Sequence, residues 1–155
     1  MIQRIQTLYL LAAFVLLLIL PLFPFAAIIQ SGSVLYSFKL FGLYILTHNS
    51  PRLIYTFWPL LILWLALGIS YLATIFMFKK RIVQMRLCLL NCLFVLIFDV
   101  LMYLSGKQFI SQLSLNVNYF WWLFFIPFLI IVLTYIAYKA IKKDEDLIRS
   151  VDRIR

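Results

Sequence analysis

The sequence predicts an all-α membrane protein, a bundle of four transmembrane helices with both termini in the cytoplasm. Hydrophobic residues make up 66% of the 155-residue chain and charged residues only 12%, with a mean hydropathy of +1.06. Soluble domains are roughly 45 to 50% apolar and about 25% charged. The apolar residues also form four runs, each long enough to cross a hydrocarbon core of about 30 Å. We therefore expect a single membrane domain over residues 1–155.

The four predicted spans cover residues 8–29, 54–78, 87–104 and 119–141. The first run follows a single charge, Arg4, and could be a signal peptide with cleavage near Ala26 and Ala27. Its apolar stretch exceeds the usual core of about 7 to 15 residues, so we expect it to be retained as a span. Pro21 and Pro24 would then kink that span.

Basic residues predict the orientation of the spans. Eleven of the 14 Lys and Arg residues lie at the N-terminus, in the second connection or in the C-terminal tail, and only Lys39, Arg52 and Lys107 lie elsewhere. Cytoplasmic segments of membrane proteins carry the excess of Lys and Arg, so both termini and the second connection are expected inside. The net charge of +9 is then explained by topology and anionic lipid head groups rather than by nucleic acid.

The two outer connections leave two structural alternatives open. Residues 112–118 alternate strictly between polar and apolar, and residues 34–41 do so more weakly, a pattern typical of half-buried strands. Two such strands above one bundle can pair into a small extracytoplasmic β-sheet. The alternative is a pair of irregular or interfacial loops. His48 is the only histidine and is interpreted as a turn residue rather than a metal ligand.

The third run contains Asp99, the only carboxylate in the first 143 residues. A charge at this depth costs about 2.5 to 3.5 kcal/mol even on lenient insertion scales, so it needs a partner or a purpose. At helical spacing it shares one face with other polar and small residues. We call this face the polar stripe: Gln84, Cys88, Asn91, Cys92, Asp99, Tyr103 and Gly106.

Two readings of the polar stripe remain open. In the first, Asp99 is protonated and neutral and hydrogen bonds to groups on the neighbouring spans, holding helices together or contacting a partner. The groups available are Thr7, Ser70, Tyr71, Thr74, Thr134 and Tyr135. In the second, Asp99 handles an ion or small molecule, as acidic groups do in transporters. Cys88 and Cys92 lie one helical turn apart inside the third run, so we expect free buried thiols. They could supply two metal ligands, but structural zinc needs four.

Signatures of catalysis are missing from the sequence. It has no GxSxG motif, no phosphate-binding glycine loop and no HExxH motif, and one histidine with one buried carboxylate makes no acid/base pair. We therefore expect no enzyme activity, no cofactor and no metal.

The C-terminal tail, residues 144–155, has the pattern of an amphipathic helix. Apolar residues recur at helical spacing, so the helix would have one apolar face and one polar face. Asp144, Glu145 and Asp146 would fall in its first turn, where the helix dipole favours negative charge. Such a short helix is marginal in water, so it should lie on the membrane, continue the fourth span or dock on a partner. The residues of this partner-docking tail are Leu147, Ile148, Arg149, Val151, Asp152, Arg153, Ile154 and Arg155.

Both ends of the chain match a known family. The opening Met1-Ile2-Gln3-Arg4-Ile5-Gln6-Thr7 and the ending Ile148-Arg149-Ser150-Val151-Asp152-Arg153-Ile154-Arg155 resemble the uncharacterised Bacteroidota membrane family described as domain of unknown function 4293. The resemblance covers the full length and implies an inner-membrane protein of that phylum. It brings no catalytic residues to carry over.

These observations predict a non-enzymatic accessory or scaffolding subunit of a larger inner-membrane assembly, such as one for protein export or envelope biogenesis. Its expected partners are the lipid bilayer and other inner-membrane subunits, with no nucleic acid. The alternative is a small ion or small-molecule transporter or channel subunit that uses Asp99.

Overall fold

A computed structural model describes the backbone of residues 3–30, 33–47, 50–113, 117–119 and 125–152. Side chains are described for residues 5–25, 36–45, 52–108, 125–148 and 150. Four long helices pack in a ring in which each packs mainly against two neighbours, and a five-stranded sheet joins them. The helices are α1 (Gln3–Ile19), α2 (Trp58–Phe76), α3 (Arg81–Leu113) and α4 (Phe125–Asp152), with a 3-10 turn at Leu20–Leu22. The strands are β1 (Ala26–Gln30), β2 (Ser33–Lys39), β3 (Gly42–Thr47), β4 (Ser50–Thr56) and β5 (Val117–Tyr119).

All four helices contain stretches long and apolar enough to cross a membrane, as predicted. These stretches are Ile5–Leu22, Trp58–Phe76, Arg81–Gln108 and Phe125–Ile148. Large apolar side chains cover their outward faces, which is the reverse of a soluble bundle, where apolar faces turn inward. Length, composition and surface are therefore compatible with a multi-pass membrane protein.

The two ends of the bundle differ in chemistry. A hydrogen bond from the Gln6 amide to the Asp144 carboxylate joins the start of α1 to the last third of α4. Gln6 also shares a cavity with Arg81 and Gln84, so the α2–α3 connection lies at the same end. We call this the basic end, formed by residues 3–7, 77–84 and 142–152. The sheet follows α1 and precedes α2, and it therefore lies at the opposite end, called here the sheet end.

A sheet is present, as one of the two alternatives predicted, but it does not pair residues 34–41 with residues 112–118: β5 pairs with β1, and β2 pairs with β1 and β3. Its strand order is β4-β3-β2-β1-β5, and all pairs are antiparallel. β5 pairs with β1, placing Asn118 opposite Ala27. Inside the sheet, the ring of Phe38 packs edge-on against Phe57 at 4.7 Å between centroids and lies 6.1 Å from Phe25. This aromatic contact ties β2 to the segments that enter and leave the helices.

Several predicted boundaries are wrong because short apolar strands read like the ends of apolar spans. Residues 26–29 were assigned to the first span but belong to β1, and residues 54–56 belong to β4 rather than to the second span. α3 continues to Leu113, so residues 112–113 are helical, and among the described residues of the second outer connection a strand forms at 117–119. Tyr119 accordingly belongs to β5 instead of the fourth span.

The tail is the last part of α4 rather than a separate helix. The helix is continuous from Phe125 to Asp152, which is one of the three alternatives that the sequence left open. Asp144, Glu145 and Asp146 therefore lie in mid-helix, and the predicted placement in a first turn is wrong. His48 and residues 153–155 lie outside the described residues.

Candidate functional site

Four buried or half-buried polar side chains join α2 to α3 at the polar stripe. We call Ser70, Thr74, Gln84 and Asn91 the α2–α3 polar cluster. Asn91 is fully buried; its amide donates to the Thr74 hydroxyl at 3.0 Å, and its carbonyl oxygen accepts from the Ser70 hydroxyl at 2.5 Å. The amide nitrogen and the carbonyl oxygen of the Asn91 side chain therefore each bond to a different residue of α2.

The other members of the cluster bond to backbone carbonyls. The Thr74 hydroxyl donates to the Ser70 carbonyl at 2.7 Å, and the Gln84 amide donates to the Thr74 carbonyl at 3.1 Å. Ser70 and Thr74 are one turn apart on α2, so both face α3. The hydrogen-bonding capacity of this face is thus directed at helix packing.

A second buried contact joins α2 to α4. The hydroxyls of Tyr71 and Thr134 lie 2.7 Å apart, and the Thr134 hydroxyl lies 2.7 Å from the carbonyl oxygen of Ile130 on its own helix. Both side chains are fully buried. About two turns nearer the sheet end, the indole of Trp64 donates to the Leu17 carbonyl at 2.9 Å and so joins α2 to α1.

Both cysteines are free thiols, as expected from their spacing. Cys88 is buried and Cys92 is half-buried. The Cys92 sulfur lies 3.9 Å from the Ile131 carbonyl on α4, whereas Asn91, its neighbour in sequence, faces α2. Among the described residues, no three His, Cys, Asp or Glu side chains come together in a way that could hold a metal ion.

Asp99 stands apart from these contacts. Its side chain is half-buried, and its Oδ1 atom is buried with no hydrogen-bond partner among the described side chains and backbone. Two of the groups expected to face it, Tyr71 and Thr134, bond to each other instead. The described part of the structure therefore contains one carboxyl oxygen in the apolar layer, Oδ1 of Asp99, that has no hydrogen-bond partner.

The polar stripe thus divides into parts with different surroundings. Gln84 and Asn91 contact α2, and Cys92 contacts α4. Asp99 lies about two turns further toward the sheet end, and Tyr103 is 47% exposed on the outer surface. The described side chains of the polar stripe therefore do not form one common site.

The tail places apolar side chains on the surface at the basic end. Leu147 is 50% exposed and Ile148 is 43% exposed. Ile148 and Glu145 border a groove of about 420 Å³, with Lys79, Lys80 and Arg81 on its other side. The structure describes only the backbone of Arg149, Val151 and Asp152, so the rest of the predicted docking face lies outside the described side chains.

Two polar residues with unusual surroundings were not among the predicted site residues. Gln6 is buried and bonds to Asp144, and the Nη1 atom of Arg81 is buried with no hydrogen-bond partner among the described residues. A signal was present for Gln6, because it is a polar residue within the first apolar turns of α1. No sequence pattern distinguished Arg81 from Lys79 and Lys80.

The described residues define a small protein of four apolar helices and a sheet, compatible with a multi-pass membrane protein. The chain belongs to the family described as domain of unknown function (DUF4293), whose model matches residues 2–154. This match confirms the resemblance seen at the two ends of the sequence. No curated protein matches the chain significantly.

Proposed function

We propose that the protein is an accessory or scaffolding subunit of an assembly in the bacterial inner membrane. The observation that carries this proposal is the exposed apolar pair Leu147 and Ile148 on a rigid extension of α4. The pair ends the membrane-length stretch Phe125–Ile148 but follows five charged residues, 142–146, which places it beyond the apolar layer. A partner that covers two large apolar side chains there explains the sequence. Protein export and envelope biogenesis are processes that use such assemblies.

The distribution of charge supports an orientation with both termini inside. The second connection and the tail hold most of the basic residues, and both lie at the basic end. The ammonium group of Lys139 lies 4.9 Å from the ring centre of Tyr135, and Tyr135 stacks on Tyr138. Aromatic and basic side chains grouped at one depth are typical of a membrane interface.

The polar groups inside the bundle also favour a structural protein. The side chains of the α2–α3 polar cluster bond to one another or to the backbone. Interhelical hydrogen bonds of this kind hold membrane helices together. A substrate path would instead be expected to leave such polar groups free to face a cavity in the middle of the bundle.

One observation favours transport as the second candidate function. The unpartnered Oδ1 of Asp99 is what a proton or cation carrier would place in the apolar layer. Under this alternative, Asp99 exchanges a proton or binds a cation during transport. The substitutions Asp99→Leu and Asp99→Asn separate this alternative from a structural role.

The docking proposal is tested by changing the two exposed apolar side chains. We expect a Leu147→Gln, Ile148→Gln variant to remain in the membrane but lose the subunits that co-purify in mild detergent from the native host, as identified by mass spectrometry. Ser150→Ala is the matched control, since this exposed hydroxyl lies on the same helix and only donates to the Leu147 carbonyl. A complex that survives the double substitution intact would refute docking through this face.

A second variant separates a protein partner from lipid. Lipid head groups respond mainly to positive charge, whereas a partner carboxylate uses the planar fork of arginine. We therefore expect Arg149→Lys, Arg153→Lys to keep the protein in the membrane while weakening the complex. If native gels show an unchanged complex, an interfacial helix without a partner is the better account of the tail.

A further inference from the structure

A cavity at the basic end is formed by α1, the α2–α3 connection and the start of α3. Its volume is about 470 Å³. Gln6, Thr7, Arg81 and Gln84 line the polar side, and Leu8, Leu11 and Phe78 line the apolar side. The cavity therefore joins hydrogen-bonding groups to an apolar wall within one space.

Arg81 is the unexplained group in this cavity. Its Nη1 atom is buried and has no hydrogen-bond partner among the described residues. The guanidinium group is always charged and carries five N–H donors, and buried donors in native structures nearly always have a partner. A ligand with acceptor oxygens would supply the hydrogen-bond partner that Nη1 of Arg81 lacks among the described residues.

Charge around Arg81 selects an anion. Lys79, Lys80 and Glu145 border the adjoining groove, which Arg81 also lines. Asp144 accepts a hydrogen bond from Gln6. Three cations face one carboxylate across the adjoining groove, and the cavity itself is lined by Arg81 with no carboxylate among its described lining residues. The fork of arginine fits the oxygen atoms of a phosphate group.

The apolar wall selects a lipid over a free anion. Leu8 is 65% exposed, Leu11 is 52% exposed and Phe78 is 49% exposed. In a membrane these side chains face acyl chains, directly beside the donors of Arg81. An anionic group that carries an acyl chain would contact both sides of the cavity at once, whereas a free phosphate would leave the apolar wall uncovered.

We propose that this cavity binds an anionic phospholipid, with Arg81 donating to the phosphate oxygens and an acyl chain lying along Leu8, Leu11 and Phe78. The inference rests on the membrane location in the proposed function but requires no partner subunit. Bound lipid would fill the space between the start of α1 and the α2–α3 connection, and so stabilise the basic end.

The test uses the purified full-length chain in detergent, with native mass spectrometry as the readout. We expect it to retain added phosphatidylglycerol in preference to phosphatidylcholine, and Arg81→Gln to reduce phosphatidylglycerol affinity about tenfold, which corresponds to about 1.4 kcal/mol. Arg86→Gln is the matched control, because Arg86 is an exposed arginine of the same helix outside the residues that line this cavity. The affinity of the Arg86→Gln variant for phosphatidylglycerol should stay within about twofold of that of the unchanged protein.

A third variant protects the test against misfolding of Arg81→Gln. Leu11→Trp fills the apolar wall without changing any charge and should also reduce phosphatidylglycerol binding. Equal losses in Arg81→Gln and Arg86→Gln would show diffuse surface attraction and overturn the site. So would full retention of lipid by Leu11→Trp, or complete displacement of lipid by millimolar inorganic phosphate. Because the assay contains no partner, loss of the docking function and loss of the lipid site are scored separately.

Discussion

Asn91 and Asp99 lie on the same helix about two turns apart, yet their side chains meet different surroundings. Asn91 is fully buried and has both a donor and an acceptor partner on α2. Asp99 is half-buried, and its Oδ1 has no partner among the described residues. Asn91 thus makes an interhelical contact in which its donor and acceptor are both satisfied. Asp99 either destabilises the bundle without contributing a contact or has a functional role. Substitutions at the two positions should therefore have different effects.

Asn91 should contribute to stability through its contact with Ser70. In a double-mutant cycle of Ser70→Ala and Asn91→Ala, we expect a coupling free energy of about 0.6 kcal/mol, and no more than about 1.7 kcal/mol, as measured for hydrogen bonds between membrane helices. The measurement is the free energy of unfolding in mixed detergent micelles. Leu93→Ala replaces Asn91→Ala in the control cycle, since Leu93 is exposed and should show coupling near zero. A coupling equally small for Asn91 would mean that this contact does not stabilise the bundle.

Asp99 should contribute little to stability, because Oδ1 has no described hydrogen bond to lose. We expect Asp99→Leu to leave the free energy of unfolding unchanged or to raise it, by no more than the roughly 2.5 to 3.5 kcal/mol that a charge at this depth costs. Unfolding in mixed micelles again provides the measurement. A decrease of more than about 1 kcal/mol would indicate that Asp99 holds the helices together after all.

Asp99→Asn separates transport from structure at the same position. The substitution keeps the shape and the capacity for hydrogen bonding but removes the exchangeable acidic proton. If Asp99 is structurally neutral and not used in transport, the variant should fold and support normal growth of the host. A well-folded Asp99→Asn protein that has lost proton-coupled flux in proteoliposomes would favour the transport alternative.

At the scale of single elements, Gly42 is required by the β2–β3 hairpin. Lys39 pairs with Gly42 across a two-residue loop, and Gly42 has a φ of +153°, a conformation that side chains rarely adopt. A Cβ atom at this position would lie 2.0 Å from the Tyr55 carbonyl oxygen on β4. Gly42 thus lets three strands meet at the point where β3 begins.

Gly42→Ala is therefore expected to destabilise the sheet end by more than about 1 kcal/mol. Gly68→Ala makes the same chemical change in α2, where a new Cβ would have no atom within 4 Å. There alanine should stabilise the helix by roughly 0.5 to 1 kcal/mol. Thermal unfolding in one detergent compares the two. Similar shifts in the same direction would contradict the role assigned to Gly42.

The ends of the helices show what the sequence could and could not predict. Proline gives local signals that locate several ends: Pro24 follows the 3-10 turn, Pro59 lies in the first turn of α2 and Pro127 in the first turn of α4. Proline is favoured in the first turn and stops a helix before it. An assignment that weighted these residues above hydropathy would have placed these boundaries closer to the observed ones.

Other ends carried no such signal. β1 is apolar over residues 26–29 and follows an apolar helix, so composition fits lipid and sheet equally well. Only its pairing with β2 and β5 makes it a strand, and pairing depends on residues distant in sequence. The continuity of α4 was equally hidden, since acidic residues are compatible with a first turn, although no glycine or proline separates them from the fourth span.

For the whole molecule, the predictable features were those that depend on composition summed over many residues. The four apolar runs predict four long helices, because each run is long enough to form a helix that crosses a membrane. The candidate sites depended instead on which faces meet. The hydrogen bonds of Asn91 and the orphaned Nη1 of Arg81 arise from the positions of neighbouring helices, and no single-sequence pattern records those positions.

Topology is the prediction that tests the whole-molecule assignment. We expect the basic end in the cytoplasm and the sheet outside, because the N-terminus, the second connection and the C-terminal tail hold 11 of the 14 Lys and Arg residues. Single cysteines at Lys80 and Lys142 should then be protected from a membrane-impermeant maleimide in intact cells, while one at Arg52 should react. All three positions are exposed, so a cysteine at each is accessible to the reagent from its own side of the membrane.

The native thiols must be controlled for, so Cys88→Ala and Cys92→Ala form the background of all three labelling variants. Permeabilised cells should label all three positions and thereby show that each cysteine is reactive in principle. Labelling of Lys80→Cys in intact cells with protection of Arg52→Cys would reverse the orientation. The cytoplasmic docking face would then be wrong. The lipid site and the contacts within the bundle would be unaffected, because they do not depend on which side of the membrane each end faces.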